Sequence, residues 1–147
     1  MKKTIYIILL MLNLIGLTLG AFAQHPEPQR KDTRIIIEVD TSKGSAFDQV
    51  IKAGTASGFT PALIQPQYNI ISWSDSKQAG YTFTLYTTIE GTKLIITGAF
   101  VQSLGMYGSA PGVVDYRLSG LDTRRKCWDM MQKVADNIKS LQILYDQ

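Results

Sequence analysis

The stretch YTFTLYTTIEGTKLIITGAF, Tyr81 to Phe100, decides the fold. Tyr81, Phe83, Leu85 and Ile89 point one way, while Thr82, Thr84, Tyr86, Thr88 and Glu90 point the other, which is the two-residue period of a half-buried strand. The EGTK segment reads as a tight hairpin turn. Centred on Gly91 and Thr92, it pairs Glu90 with Lys93, Ile89 with Leu94, Leu85 with Gly98 and Phe83 with Phe100. All the large apolar pairs then share one face. Thr88 with Ile95, Tyr86 with Thr97, Thr84 with Ala99 and Thr82 with Val101 make a mixed face that water tolerates. A slip of one residue would scramble both faces, so the apolar pattern itself selects this register.

Upstream, YNIISWSD (Tyr68 to Asp75) reads as the preceding strand, and Pro61 and Pro66 interrupt the chain before it. In SAFDQVIKAGTASGF the period changes: Phe47, Val50, Ile51 and Gly54 follow i, i+3, i+4, i+7 on one helix face. Ser45 is placed to cap that helix, with Asp48 three residues on, and Gly58 followed by Phe59 is a stop with its own apolar contact. RIIIEVD, Arg34 to Asp40, is a short β-branched strand. QHPEPQRKDT, residues 24–33, holds two prolines and four charges and is expected to be a flexible lead-in that adds nothing to a core.

Downstream, SLGMYGSAPGVVDY (Ser103 to Tyr116) has no period of its own. It is expected to fold back over a core edge, with a short fifth strand at Val113 to Leu118, or else to present Met106 and Tyr107 to a partner. Asp122 caps a closing helix whose apolar stripe is Cys127, Trp128, Met131, Val134, Ala135 and Ile138. The fold class is therefore α+β: an antiparallel sheet of four to five strands in the order β-α-β-β-β-(β)-α, with two helices packed on one face. The second face stays open unless a partner covers it.

The N-terminus carries Lys2 and Lys3, an apolar run from Ile5 to Leu19, and Ala21 and Ala23 in an A-x-A arrangement, the pattern of a secretory signal peptide cleaved after Ala23. Fifteen apolar residues fall short of the roughly 20 that a spanning helix needs, so no transmembrane helix is expected after cleavage. Removing the first 23 of 147 residues leaves 124, which is one domain over residues 34–147 behind the lead-in. The expected location is periplasmic or secreted. Lys2 and Lys3 are the only charges lost, leaving 13 basic residues against 12 acidic, and so near-neutral a chain gives no electrostatic case for nucleic acid. A single cysteine, Cys127, excludes an intramolecular disulfide, so packing must hold the fold.

Catalytic groups are scarce. His25 is the only histidine and lies in the lead-in, where it cannot be held against a nucleophile. One Cys and one His cannot complete a tetrahedral zinc site, and GMYGSAPG matches neither the dinucleotide nor the P-loop glycine pattern. No catalytic residue, cofactor or metal is therefore assigned. Cys127 reads as a buried small hydrophobe; the alternative is a thiol activated by the helix start and by Arg125 and Lys126. Asp40, Asp75, Glu90 and Asp115 leave a carboxylate-dependent hydrolase open as an alternative, which needs two of them about 5–10 Å apart across a cleft. Arg124, Arg125 and Lys126 in the first turn of the last helix are candidates for holding a phosphate, sulfate or lipid headgroup, against a plain solvated face with Arg125 paired to Asp129.

In its AFAQ processing site, the Arg34 to Gly58 strand–helix unit, the hairpin and the helix from Asp122, the chain resembles the small exported domains of unknown function common in Bacteroidetes. Their fold is similar to that of the TATA-binding protein repeat. SLGMYGSAPGVVDYRLSG, ahead of the last helix, departs from the tightest version of that pattern. The resemblance implies no activity, cofactor or catalytic residue. These readings point to a non-enzymatic binding or protein-interaction module of the cell envelope. Its candidate surface is Thr82, Thr84, Tyr86 and Thr88 together with Met106 and Tyr107, and its expected partner is an envelope protein or a small ligand.

Overall fold

The computed structural model describes residues 24–74, 80–120 and 122–147; the expected signal peptide over residues 1–23 and the candidate Asp75 lie outside them. Chain order runs β1 (Arg34–Val39), α1 (Ala46–Ala56), β2 (Thr60–Gln65), β3 (Ile70–Ser74), β4 (Tyr81–Glu90), β5 (Lys93–Ser103), β6 (Ser109–Val113), α2 (Thr123–Asp136) and β7 (Ser140–Asp146). Single 3-10 turns lie at Thr41–Lys43, Pro66–Tyr68 and Gly105–Tyr107.

The β4–β5 hairpin forms in the expected register from Glu90 opposite Lys93 to Thr82 opposite Val101. Gly91 closes it at φ +63°, a left-handed conformation that glycine adopts without steric cost. Around it, seven strands among the described residues make one antiparallel sheet in the order β2-β3-β4-β5-β1-β7, with β6 also on β5. The length of β5 lets two strands share its second edge. β1 takes the first half, with Ile35 opposite Ile96, and β6 takes the second, with Ala99 opposite Val113.

The class is α+β as expected, with a sheet larger than the four to five strands read from the sequence. β2 was hidden by Pro61 and Pro66. As an edge strand β2 tolerates Pro61, whose missing N–H breaks no central ladder. β7 was hidden because exposed Leu141 breaks the apolar alternation of SLQILYD. The fifth strand forms at Ser109–Val113, upstream of the expected Val113 to Leu118, because the chain pairs with β5 before Val114 turns into the core.

Both helices cover one face. Ser45 caps α1, accepting the Asp48 N–H at 3.1 Å and donating its hydroxyl to the Asp48 carboxylate at 2.7 Å. Gly58, at φ +94°, ends the helix, and the Phe59 N–H returns to the Gly54 carbonyl at 3.0 Å while its ring is buried. Asp122 caps α2 through the Arg124 N–H at 2.8 Å. α1 lies over β3, where the Gly54 backbone rests against the Trp73 indole, and α2 lies over β5, where Met131 meets Gly98. Between helices and sheet are the buried side chains of Phe83, Leu85, Leu94, Ile96 and Phe100, joined by Ile35, Ile37, Ile71 and Trp73. The Trp73 indole N–H donates to Thr87 Oγ1 at 3.2 Å, and that hydroxyl donates to the Ile71 carbonyl at 3.3 Å, so the largest core side chain leaves no buried donor unpaired. Cys127 is fully buried on the α2 stripe, which is the packing role.

Residues 24–33, expected as a lead-in free of the fold, are laid against it. His25 and Tyr145 exchange two backbone hydrogen bonds, the Lys31 N–H donates to Tyr116, the Tyr116 N–H donates to Asp32, and the Thr33 N–H donates to Asp146. The segment contributes polar atoms rather than apolar bulk, which is why a search for hydrophobic mass passes over it. Among the described residues no helix is long and apolar enough to cross a membrane.

Candidate functional site

The pleat that sends Phe83 and Leu85 inward sends Thr82, Thr84, Tyr86 and Thr88 to the opposite face, and all four expected side chains lie there together. Cross-strand neighbours complete their rows. Pro111, Val101 and Thr82 form one, Val113, Ala99 and Thr84 the next, and Thr97, Tyr86, Ser72 and Leu63 a third. Ile36, Ile95 and Thr88 form a fourth, in which Ile36 is buried by its neighbours. Among the described residues no helix lies on this side. Tyr86 is 38% exposed, Val101 44%, Leu63 52% and Val113 64%.

At one end of this face the β5–β6 hairpin carries the other two candidates. Met106 is 98% exposed and Tyr107 89%, so this turn does not fold back over a core edge. The turn is nonetheless ordered by hydrogen bonds: the Leu104 N–H donates to Gly108 at 2.9 Å and the Tyr107 N–H to Leu104 at 3.3 Å. The covering role falls to the end of the stretch, where Val114 is fully buried and the Tyr116 ring meets Trp128 edge-on, centroids 5.6 Å apart.

The expected cationic trio is dispersed. Arg125 donates to Asp129 at 2.7 Å and to the Arg117 carbonyl at 3.0 Å, and its guanidinium stacks 4.6 Å over the Tyr116 ring. The Asp129 hydrogen bond holds its pKa above the ordinary arginine value, with Tyr116 assisting. Lys126 is exposed on the helix. Arg124 instead joins Arg117, which the sequence reading missed, beside a cavity of about 580 Å³ also lined by Phe100, Gln102, Ala110, Pro111, Thr123 and the acidic Asp122. Arg117 grips Asp115 through two bonds of 2.9 and 2.6 Å, and Arg124 approaches the same carboxylate at 3.7 Å. The signal that could have found Arg117 is its spacing from Asp115, two residues away in an extended segment. A second cationic group, Lys43, Lys52 and Lys139, surrounds a depression of about 200 Å³ with Gln49 and Asn137.

Among the described residues, the candidate carboxylates Asp40, Glu90 and Asp115 each have their own local partner or setting. Asp40 caps the Thr41–Lys43 turn, and the hydrogen bonds from the Ser42 hydroxyl and N–H lower its pKa. Glu90 is exposed opposite Lys93, and Asp115 is occupied as a brace for two arginines. Among the described residues no three His, Cys, Asp or Glu side chains gather around a point that could hold a metal ion. No protein-family model matches the chain, and no curated protein is similar to it in sequence.

Proposed function

We propose that this chain is an exported, non-enzymatic interaction module of the cell envelope, akin to the small exported domains it resembles in sequence, and that it binds a partner protein across the open sheet face. The observation that carries the reading is the row of exposed apolar side chains from Leu63 and Tyr86 through Val101 and Val113, ending beside Met106 and Tyr107. Patches of this kind on a folded domain mark contact surfaces. Small molecules favour concave sites, whereas a pleated surface alternating threonine with apolar groups suits another protein. Export rests on the Lys2, Lys3 and Ile5–Leu19 pattern and places the module in the periplasm or outside the cell.

The paired substitution Tyr86→Ala with Tyr107→Ala tests the reading in envelope extracts. Loss of two aromatic anchors is expected to weaken capture of the partner by tenfold or more, since truncating one hot-spot side chain costs about 2 kcal/mol. Leu141→Ala, which removes another exposed apolar side chain, on β7, is the control and should leave capture intact. Equal recovery with the paired variant and the control would count against the sheet face.

A second reading is favoured by the cavity at Arg117 and Arg124. Two guanidinium groups with Gln102 and Thr123 offer donors to an oxyanion such as a phosphate or sulfate monoester, which must compete with Asp115 for the arginines and share the cavity with Asp122. Binding of inorganic phosphate is expected to weaken steeply between about 0.05 and 0.2 M salt and to be lost in Arg124→Gln. Binding indifferent to both changes would remove this reading.

A further inference from the structure

We propose that the open sheet face pairs with the same face of a second copy of this chain, forming a two-fold dimer in which the two sheets stack. The proposal deepens, and rests on, the reading of that face as a contact surface. Charge separates a second copy from an unlike partner. Among the described residues, every one that β2 to β6 direct to this side, from the Thr82 row to the Thr88 row, is uncharged. Glu90 and Lys93 stand beyond these rows, at the β4–β5 turn. Well-solvated surfaces are about 25–35% charged, so a face of this extent kept for water would carry several such groups. Charges also steer an unlike partner and fix its register. A face without them offers a foreign protein no such handle, and a copy of itself approaches without repulsion.

Strand order supplies the self-complementarity. β4 is the middle of the five strands that build the face, with β3 and β2 on one side and β5 and β6 on the other. A two-fold axis laid along β4, between the stacked sheets, exchanges the two flanks. Each outermost strand carries an exposed apolar side chain, Leu63 on β2 and Val113 on β6, so Leu63 of one copy comes over Val113 of the other. The two lie in adjacent rows, about 7 Å apart along the strands, an offset that two branched side chains span. Tyr86 and Thr84, on the axis strand, each meet their own counterpart, and ring against ring is a favourable contact. Such an isologous arrangement needs only one surface that fits itself, and it is the commonest oligomer symmetry.

Size sets the strength. With strands about 4.8 Å apart and residues rising about 3.4 Å, the face from β2 to β6 covers roughly 500 Å². Two copies therefore bury roughly 1,000 Å² between them, the lower bound of a specific interface. Met106 and Tyr107, almost fully exposed on the adjoining turn, extend it. The dimer is weak and reversible, with a dissociation constant on the order of 10 µM.

Sedimentation velocity on the protein purified from expressing cells tests this between about 1 and 200 µM, a span set around that constant. The weight-average mass is expected to rise from that of one chain toward that of two. Thr84→Arg sets two guanidinium groups against each other at the axis and should weaken the dimer at least tenfold. Val101→Lys buries a charge in the same contact at a more exposed position, and it carries the test if Thr84→Arg folds poorly. Leu118→Arg adds a charge beyond Tyr116, whose ring packs on α2, and should leave the dimer unchanged. A wild-type chain that stays monomeric, or a dimer as strong in the two face variants as in Leu118→Arg, would overturn the proposal. Were the monomeric chain still to capture an unlike protein, and to lose it in the Tyr86 and Tyr107 pair, the sheet-face reading would stand and the self-pairing alone would fall.

Discussion

Replacing Trp73 with alanine is expected to lower the unfolding free energy by about 3–5 kcal/mol, read from the midpoint of urea denaturation. The indole is fully buried, lies under α1, and donates to Thr87, so its removal opens a cavity and strips a buried hydroxyl of its donor. The facing residue makes the test sharper. A Cβ at Gly54 would sit 2.4–2.8 Å from three carbons of the indole. Gly54→Ala is therefore expected to destabilise by about 1–3 kcal/mol, although alanine is worth about 1 kcal/mol more than glycine in an open helix. In the double variant the methyl enters the space the indole vacated, so the combined loss should fall short of the sum by more than about 0.5 kcal/mol. Simple additivity would mean that α1 does not rest on Trp73 as described.

Gly98→Val is the second large effect. A Cβ there would come within 2.6 Å of the Phe83 ring, 2.9 Å of Met131 Sδ and 3.0 Å of Val114, so three elements would have to give way together. The expected loss lies at the upper end of about 1–3 kcal/mol, outweighing the roughly 0.5–1 kcal/mol by which glycine weakens a strand interior. Met131 is flexible and Phe83 is not. Combining Gly98→Val with Met131→Ala should therefore recover little, whereas Phe83→Leu should recover more. The opposite order would show that α2, rather than β4, sets the fit over β5.

The parts legible in the sequence are those in which one physical signal acts alone. Phe83, Leu85, Leu94 and Phe100 alternate cleanly, and a two-residue turn leaves one register that keeps them together, so hairpin, buried face and open face follow from the pattern. Ser45 and Asp122 carry caps that need no tertiary context. Signals failed where tertiary placement overrides local preference. Pro61 argues against a strand except at an edge, and nothing local to it shows that β2 is one. Asp32 and His25 look like solvated polar residues until Tyr145, 120 residues away from His25, supplies the surface they close upon. Within the candidate site, Thr82, Thr84, Tyr86 and Thr88 were legible because pleat parity fixes them. Leu63 was not, since its place beside Ser72 depends on a bulged pairing between β2 and β3.

The interior position of β1, between β5 and the edge strand β7, governs when the molecule can finish forming. Ile35 pairs with Ile96 on one side and Tyr145 on the other, partners 61 and 110 residues farther along the polypeptide. A chain released from its amino end first must hold RIIIEV unsatisfied while nearly everything else is delivered. Assembly is thus postponed to the last moments of synthesis, and contacts so remote in sequence close slowly, on the order of milliseconds to seconds. Until then the stretch is an adhesive ribbon for which a holding chaperone would compete. A product cut short before Ser140 would leave that ribbon bare along one side and prone to self-association.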